Sequence, residues 1–372
     1  MTVAAFMDLA LYHPELGYYA RAGQRSGRAG DFFTSVDVGP LFGELLEVQI
    51  AEMFQLLTIN AETAEHPEKR SLSANSATSA FDLIEAGAGN GRLSADILRT
   101  AKRRDPGIYE RVRLHLVEAS ERARGGQRAT LGDAAERLGG SGPHLPESFE
   151  GVLFANELLD AMPVHAVVMR AGGLRELYVE ADPRHGALTT VEGPLSSPSI
   201  AEYLEHVDAR LQPGWHAEIG LAATRWIAGA ARRLRRGFII LIDYGHAARE
   251  LYSVSHSTGT LTTFSRHRAA GPESGTPAWL ANPGEQDITA HVDFTSVQRT
   301  AEAEGLTTIA FLDQTYFLLG LLPSISIQQS AVTQFKTLMM PGGLGSTQKV
   351  LILGKNVGVP TLKGTSFKVR VT

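Results

Sequence analysis

The sequence predicts an α/β fold with a doubly wound, mostly parallel sheet, and three observations carry that prediction. Short apolar strands alternate with amphipathic helices from Phe81 onward, the pattern of successive βαβ units. The first of these strands hands over to a helix through the glycine-rich run Gly87-Ala88-Gly89-Asn90-Gly91. Acids or amides stand near the ends of successive strands, at Glu85, Glu118 and Asn156, where open α/β sheets bind ligands.

Composition supports a globular chain and removes several classes of function. Of 372 residues, 43% are hydrophobic and 20% charged, enough apolar material for a sizeable core. The formal net charge is -5, so the basic footprint of a nucleic-acid binder is missing. The short basic run Arg232-Arg233-Leu234-Arg235-Arg236 reads as the solvated end of a helix. Without cysteines there is no disulfide scaffold, no cysteine nucleophile and no thiolate metal site. No apolar stretch approaches the ~20 residues of a membrane span, so membrane insertion is not expected. The N-terminus has no basic segment followed by an apolar run. Together these features predict a cytoplasmic protein.

Along the chain, residues 1–57 form an N-terminal segment of mixed aromatics, glycines and acids. It ends in a helix whose apolar positions recur through Leu41, Leu45, Val48, Ala51 and Phe54. Residues 58–80 are polar and lack a periodic apolar face, which predicts a mobile surface insertion. Residues 81–372 hold the core. Its strands are Phe81 to Ala86, Val112 to Glu118, Gly151 to Asn156 and Phe238 to Asp243, with closing strands at Thr307 to Leu312 and Lys349 to Leu353. Val164 to Arg170 and Leu174 to Glu180 flank Ala171-Gly172-Gly173 as an inserted hairpin. Tyr244 to Asp293 is loop-rich, and these additions predict a core with a cap rather than two independent domains.

The glycine run is the sharpest local signal. Glycines at a strand-to-helix turn let the backbone approach a ligand, and the helix start offers free amides. A dinucleotide site has Gly-x-Gly-x-x-Gly there. This chain instead has Gly87, Gly89 and Gly91 behind the acid Glu85, a pattern that resembles class I S-adenosylmethionine-dependent methyltransferases. Glu85 could accept a hydrogen bond from the methionyl ammonium, and Glu118 from both ribose hydroxyls. A tight turn with a capping acid and no ligand is the alternative.

Asn156, Glu157 and Asp160 follow the next core strand. Two carboxylates three residues apart, with an amide, suit the planar fork of a guanidinium. Equally, Asn156 could cap a helix and Asp160 pair locally. Asp287 and His291 are four apart, so on a helix they would share a face and could carry away a proton. A hydrogen-bonded structural histidine is the other reading of His291. Two ligands at that spacing without a third make a poor metal site, so no metal is expected.

Read together, these segments resemble the MidA family, which includes mitochondrial complex I assembly methyltransferases. The matching segments are Leu11 to Tyr19, Gly30 to Asp37, Leu41 to Glu44, Glu85 to Leu93, Asn156 to Pro163, Ile242 to Gly245, Gly259 to Leu261 and Gln286 to Phe294. They are collinear and span nearly the whole chain. The resemblance implies a class I, Rossmann-like methyltransferase sheet with an N-terminal lid and mid-chain insertions, and S-adenosyl-L-methionine as cofactor. It implies that Gly30, Asp31, Thr34 and Ser35 form the lid. It further implies a protein partner with an accessible arginine, a respiratory complex I subunit in the mitochondrial members. The chain departs from the family at Ala88, at Asp37 and at Leu344 to Lys349, where an acid and an aromatic are missing. A methyltransferase of another acceptor, or a non-catalytic assembly factor keeping the fold, are the rival readings.

Overall fold

The computed structural model describes residues 1–21, 34–64, 80–182, 186–265, 268–270, 277–325, 331–339 and 347–367. Its strands in chain order are β1 (Phe81–Ala86), β2 (Val112–Val117), β3 (Leu138–Gly142), β4 (Phe149–Asn156), β5 (His165–Arg170), β6 (Gly173–Ala181), β7 (Leu188–Gly193) and β8 (His216–Ile219). They continue as β9 (Leu234–His246), β10 (Thr262–Ser265), β11 (Arg268–Ala270), β12 (Asp287–Thr289), β13 (Val292–Asp293), β14 (Thr307–Asp313) and β15 (Gln348–Lys355). Helices named below are α1 (Val3–Tyr12), α2 (Tyr18–Arg21), α3 (Leu41–Ala64) and α4 (Arg92–Arg104). The chain divides into two compact units. A sheet unit comprises residues 34–156, 230–242 and 304–372, and an N-terminal unit comprises 1–33, 157–229 and 243–303.

The sheet unit is built on the strand order β14-β15-β9-β4-β1-β2-β3. Neighbours from β3 through β9 are parallel, and β14 pairs antiparallel with β15. All six residues of β1 are buried, as expected of a parallel strand covered on both faces. Parallel packing is tightest at two glycines. A Cβ on Gly151 would stand 2.0 Å from the Asp82 carbonyl oxygen, and one on Gly237 would stand 1.9 Å from the Gly151 carbonyl oxygen. Helix α4 buries Leu93, Ile97, Leu98 and Ala101 and ends in Lys102, Arg103 and Arg104, charges that suit a helix C-terminus. The core gathers Phe42, Leu45 and Phe54 from α3 with Leu83, Leu114, Val152, Ile240, Phe317 and Ile352.

Two local expectations are corrected here. Helix α3 runs on to Ala64, so the first residues of the 58–80 segment continue a helix; 65–79 lie outside the described residues. The basic run is split: Arg232 and Arg233 close a helix, while Arg235 and Arg236 open β9. There Arg236 donates to the Leu57 carbonyl (2.8 Å) and pairs with Glu150 (3.2 Å).

The N-terminal unit holds an antiparallel sheet, β7-β6-β5-β8, and a smaller one, β11-β10-β12. The expected hairpin is β5–β6, in register from Arg170 opposite Gly173 to Val167 opposite Glu176. The Thr2 hydroxyl caps α1 by accepting from Ala5 N–H at 3.1 Å. One face of α1, with Val3, Phe6, Met7, Ala10 and Leu11, packs with Tyr18, Val164, Ala166, Trp279 and Ile288. The last residues of β9 belong to this unit, where Gly245 and His246 pair parallel with Val292 and Asp293 of β13.

Candidate active site

In the sheet unit the chain order reverses between β1 and β4, the switch point at which doubly wound sheets bind ligands. The glycine loop turns there. Gly87 and Ala88 N–H both donate to the Val117 carbonyl, at 2.9 and 3.1 Å, and Gly91 N–H donates to the Ala88 carbonyl at 2.8 Å. Gly89 has φ +50° and Gly91 φ +82°, conformations that favour glycine. A Cβ on Gly89 would meet no atom within 4 Å, so this glycine presents an open backbone face. Gly91 caps α4, and a Cβ there would press on Leu116 at 3.1 Å.

Two carboxyls flank this loop. Glu118, half-buried just beyond β2, accepts from Gly89 N–H at 2.8 Å and from Ser120 N–H at 2.7 Å. A carboxylate has about four acceptor sites, so capacity remains for hydroxyl groups. Glu85 is buried and accepts from both the backbone N–H and the hydroxyl of Ser94 in the first turn of α4. Burial pushes its carboxyl up to about 8, against those two hydrogen bonds and with help from the nearby Glu118 and Asp96 charges. Gln127 pins the loop by donating to the Gly89 carbonyl at 2.8 Å, and is itself held by the Ser141 hydroxyl at 2.7 Å. This donor set fits S-adenosylmethionine. Carboxyls suit ribose hydroxyls and an ammonium, and would repel the pyrophosphate of a dinucleotide.

Of the expected lid residues, Gly30 and Asp31 lie outside the described residues. Thr34 is buried, and its N–H and hydroxyl both donate to Asp37 at 3.0 Å. Asp37 also pairs with Arg92, the first residue of α4, which ties this segment to the end of the glycine loop. The Ser35 hydroxyl donates to the Gln348 side-chain oxygen at 2.9 Å, with that of Gln314 3.3 Å away. Asn156 ends β4, half-buried and in register with Ile242 of β9.

The N-terminal unit carries the remaining acidic groups. Glu157 opens the second segment of this unit with a left-handed backbone, φ +51°, a strained conformation for a residue with a side chain. Asp243, buried in the last turns of β9, accepts from Leu158 N–H (3.0 Å), Leu159 N–H (2.7 Å) and Tyr244 N–H (2.8 Å). It therefore shapes the segment that carries Glu157 and Asp160. The Asp160 carboxylate accepts from the Thr289 hydroxyl at 3.0 Å and shares a hydrogen bond with Asp243. Burial raises both carboxyls, and for Asp243 the Asp160 charge adds to it. Asp287 accepts from the Tyr19 hydroxyl at 3.0 Å. Tyr19 stacks on Tyr12 at 5.3 Å between ring centres, and burial followed by the Asp287 charge raises its phenol well above normal. Three aspartates and a tyrosine stack thus form one group.

Asp287 and His291 do not share a helix. Residues 287–289 are strand β12, and the two side chains serve different clusters. His291 lies with His246 and His256, at ring-centre distances of 5.2 and 6.0 Å. Burial, then the two neighbouring rings, lower its imidazole to about 4. Sequence reasoning named Asp243 but gave it no role, and it passed over Tyr12 and Tyr19. The strand-end rule that found Glu118 and Asn156 also points to Asp243. The tyrosines sit within the Leu11 to Tyr19 segment already singled out.

Residues 69–312 match the family described as "Putative S-adenosyl-L-methionine-dependent methyltransferase". The chain belongs to this family. It is 29% identical to the protein arginine methyltransferase NDUFAF7 of Mus musculus, over 86% of this chain and 70% of the relative. Against the Rattus norvegicus protein of the same name it is 28% identical, over 93% and 79%. A crystal structure of a Burkholderia thailandensis protein bound to S-adenosyl-homocysteine superposes with a TM-score of 0.81 at 28% identity, covering 98% of this chain and 90% of that one. The methyltransferase thus has the fold and the S-adenosylmethionine dependence that its glycine loop and strand-end acids imply.

Proposed function

We propose that this methyltransferase modifies an arginine side chain of a protein, with Glu157, Asp160 and Asp243 holding the guanidinium. The observation that carries the reading is the Asp160–Asp243 pair beside the stacked Tyr12 and Tyr19. Two carboxyls that share a proton, Asp243 buried and Asp160 half-buried, are a natural seat for a cation. A planar guanidinium replaces that proton and gains bidentate, charge-assisted hydrogen bonds. Tyrosine faces add cation–π attraction of about 0.5–2 kcal/mol. The names of the Mus musculus and Rattus norvegicus relatives support the same acceptor.

When bound, S-adenosylmethionine supplies a methyl carbon made electrophilic by its positively charged sulfur. In this reading Glu118 accepts from the ribose hydroxyls, Glu85 ionises to receive the ammonium, and Gly87, Gly89 and Gly91 give the backbone access to the ligand. Thr34, tied through Asp37 to Arg92 at the end of the glycine loop, helps to exclude water there. Glu157, Asp160 and Asp243 orient the attacking nitrogen, since in-line methyl transfer depends mainly on alignment. They also draw the positive charge of the guanidinium toward the nitrogens they bind. The arginine nitrogen that gains the methyl must lose a proton, and the raised Asp160–Asp243 pair is matched to accept it. Asp287 acts through Tyr19 as a positioning residue.

The MidA resemblance makes a respiratory complex I subunit the first acceptor to test, and a cytoplasmic location belongs to the same proposal. Purified protein incubated with isotope-labelled S-adenosylmethionine and cell extract should yield methylarginine, read by mass spectrometry. Glu157→Gln and Asp160→Asn should lower the rate by roughly 10- to 100-fold or more, the worth of a charged hydrogen bond, with cofactor affinity unchanged. Full transfer in both variants would refute the clamp. Label on another side chain would refute the acceptor.

A further inference from the structure

We infer that His246, His256 and His291 form a binding site for one divalent transition-metal ion of the zinc type. A nitrogen of each lies within 4.8 Å of a nitrogen of the other two, and all three residues are half-buried. The rings of His246 and His256 are 4.7 Å apart between centres. Imidazole ligands without thiolates suit zinc and its neighbours rather than calcium or magnesium. The inference stands apart from the arginine reading.

The surroundings of the rings resemble an outer coordination shell. His246 Nδ1 stands 3.1 Å from the Glu250 carboxylate, and His256 Nδ1 stands 3.0 Å from the Glu250 backbone oxygen. With His256 Nδ1–H donating to the Glu250 backbone oxygen, Nε2 of that ring carries the lone pair that a metal needs. His291 Nδ1 is buried and has no hydrogen-bond partner among the described residues, a costly state that coordination would relieve. The backbone holds the ligands in place. Gly245 and His246 pair with Val292 and Asp293, so His291 directly precedes the strand to which His246 is tied. His291 N–H also donates to the Thr260 hydroxyl at 3.0 Å. His256 ends a short 3-10 turn, Val254–His256, whose following residue accepts from His216 N–H at 2.9 Å.

Tetrahedral zinc with bonds near 2.0–2.1 Å needs ligand nitrogens about 3.3 Å apart, so modest ring rotations close the set. A water completes the fourth position, with the Glu250 carboxylate beside His246 in the outer shell. Expecting no metal rested on Asp287 and His291 lacking a third ligand. Folding supplies different partners, and Asp287 is not among them.

The test uses full-length protein without a polyhistidine tag, stripped with a chelator and titrated calorimetrically with zinc. One zinc per chain is expected. His256→Gln should weaken it by more than about 100-fold and Glu250→Gln by roughly 10- to 100-fold, the range for an outer-shell partner. S-adenosyl-homocysteine binding and far-UV circular dichroism should stay unchanged, showing that the fold is intact. Cobalt(II) gives a readout independent of mutation: wild-type protein should show intense tetrahedral visible bands. Failure to hold stoichiometric zinc, unchanged zinc affinity in His256→Gln, or an octahedral cobalt spectrum would each overturn the site.

Discussion

Replacing Glu85 with glutamine should flatten the pH dependence of stability in the sheet unit. The Glu85 carboxyl is raised from 4.5 to about 8, chiefly by burial in β1. A carboxyl with a folded value above its unfolded value favours the protonated native state. Its contribution is complete below about 4.5 and disappears as pH rises through about 8. Each pH unit in the middle of that window costs about 1.4 kcal/mol, and the loss between pH 6 and 8 comes to about 2 kcal/mol. Glutamine keeps the shape and can still accept from Ser94, but it does not titrate. Wild type should therefore lose about 2 kcal/mol relative to Glu85→Gln over that interval, because all other titrations cancel in the difference. Fluorescence is the wrong probe, since Trp215, Trp226 and Trp279 all lie in the N-terminal unit. Hydrogen exchange of the β1 amides, compared between the two proteins at each pH, reports the correct unit. A difference that stays constant from pH 6 to 8 would show that Glu85 is ionised throughout, and would refute the reasoning.

Two further substitutions probe the cofactor loop and the parallel sheet. Glu118→Ala should weaken S-adenosyl-homocysteine by roughly 10- to 100-fold in calorimetry, through lost ribose hydrogen bonds and a freed Gly89 N–H; unchanged affinity would place the ribose elsewhere. Gly237→Ala should destabilise the sheet unit by about 3 kcal/mol or more, since its Cβ would stand 1.9 Å from the Gly151 carbonyl oxygen at φ +140°. A denaturant midpoint by circular dichroism within error of wild type would show that β4 and β9 can separate without cost.

Much of the architecture was legible because local chemistry dictates it. Apolar strands separated by helices can bury both faces only in a parallel sheet, and β1, β2, β4 and β9 form one. Gly87, Gly89 and Gly91 all adopt positive φ, as glycines at a strand-to-helix turn should. Ala171-Gly172 marks the hairpin turn between β5 and β6. The start of the 58–80 segment was misread because an apolar face is not needed to extend a helix once begun. Residues such as Ala61, Glu62 and Ala64 continue α3 at little cost.

Sequence by itself thus determined the strand order's raw material, the cofactor loop and the family. Only the tertiary structure decided which distant side chains meet. Asp160 bonds with Asp243, 83 residues away (243 − 160), and Tyr19 reaches Asp287 across 268 residues. His246, His256 and His291 converge from three separate segments. Periodicity and spacing constrain residues within a turn or a strand of one another. The meeting of remote segments depends instead on how whole elements pack, a free-energy balance summed over the core that no local pattern encodes.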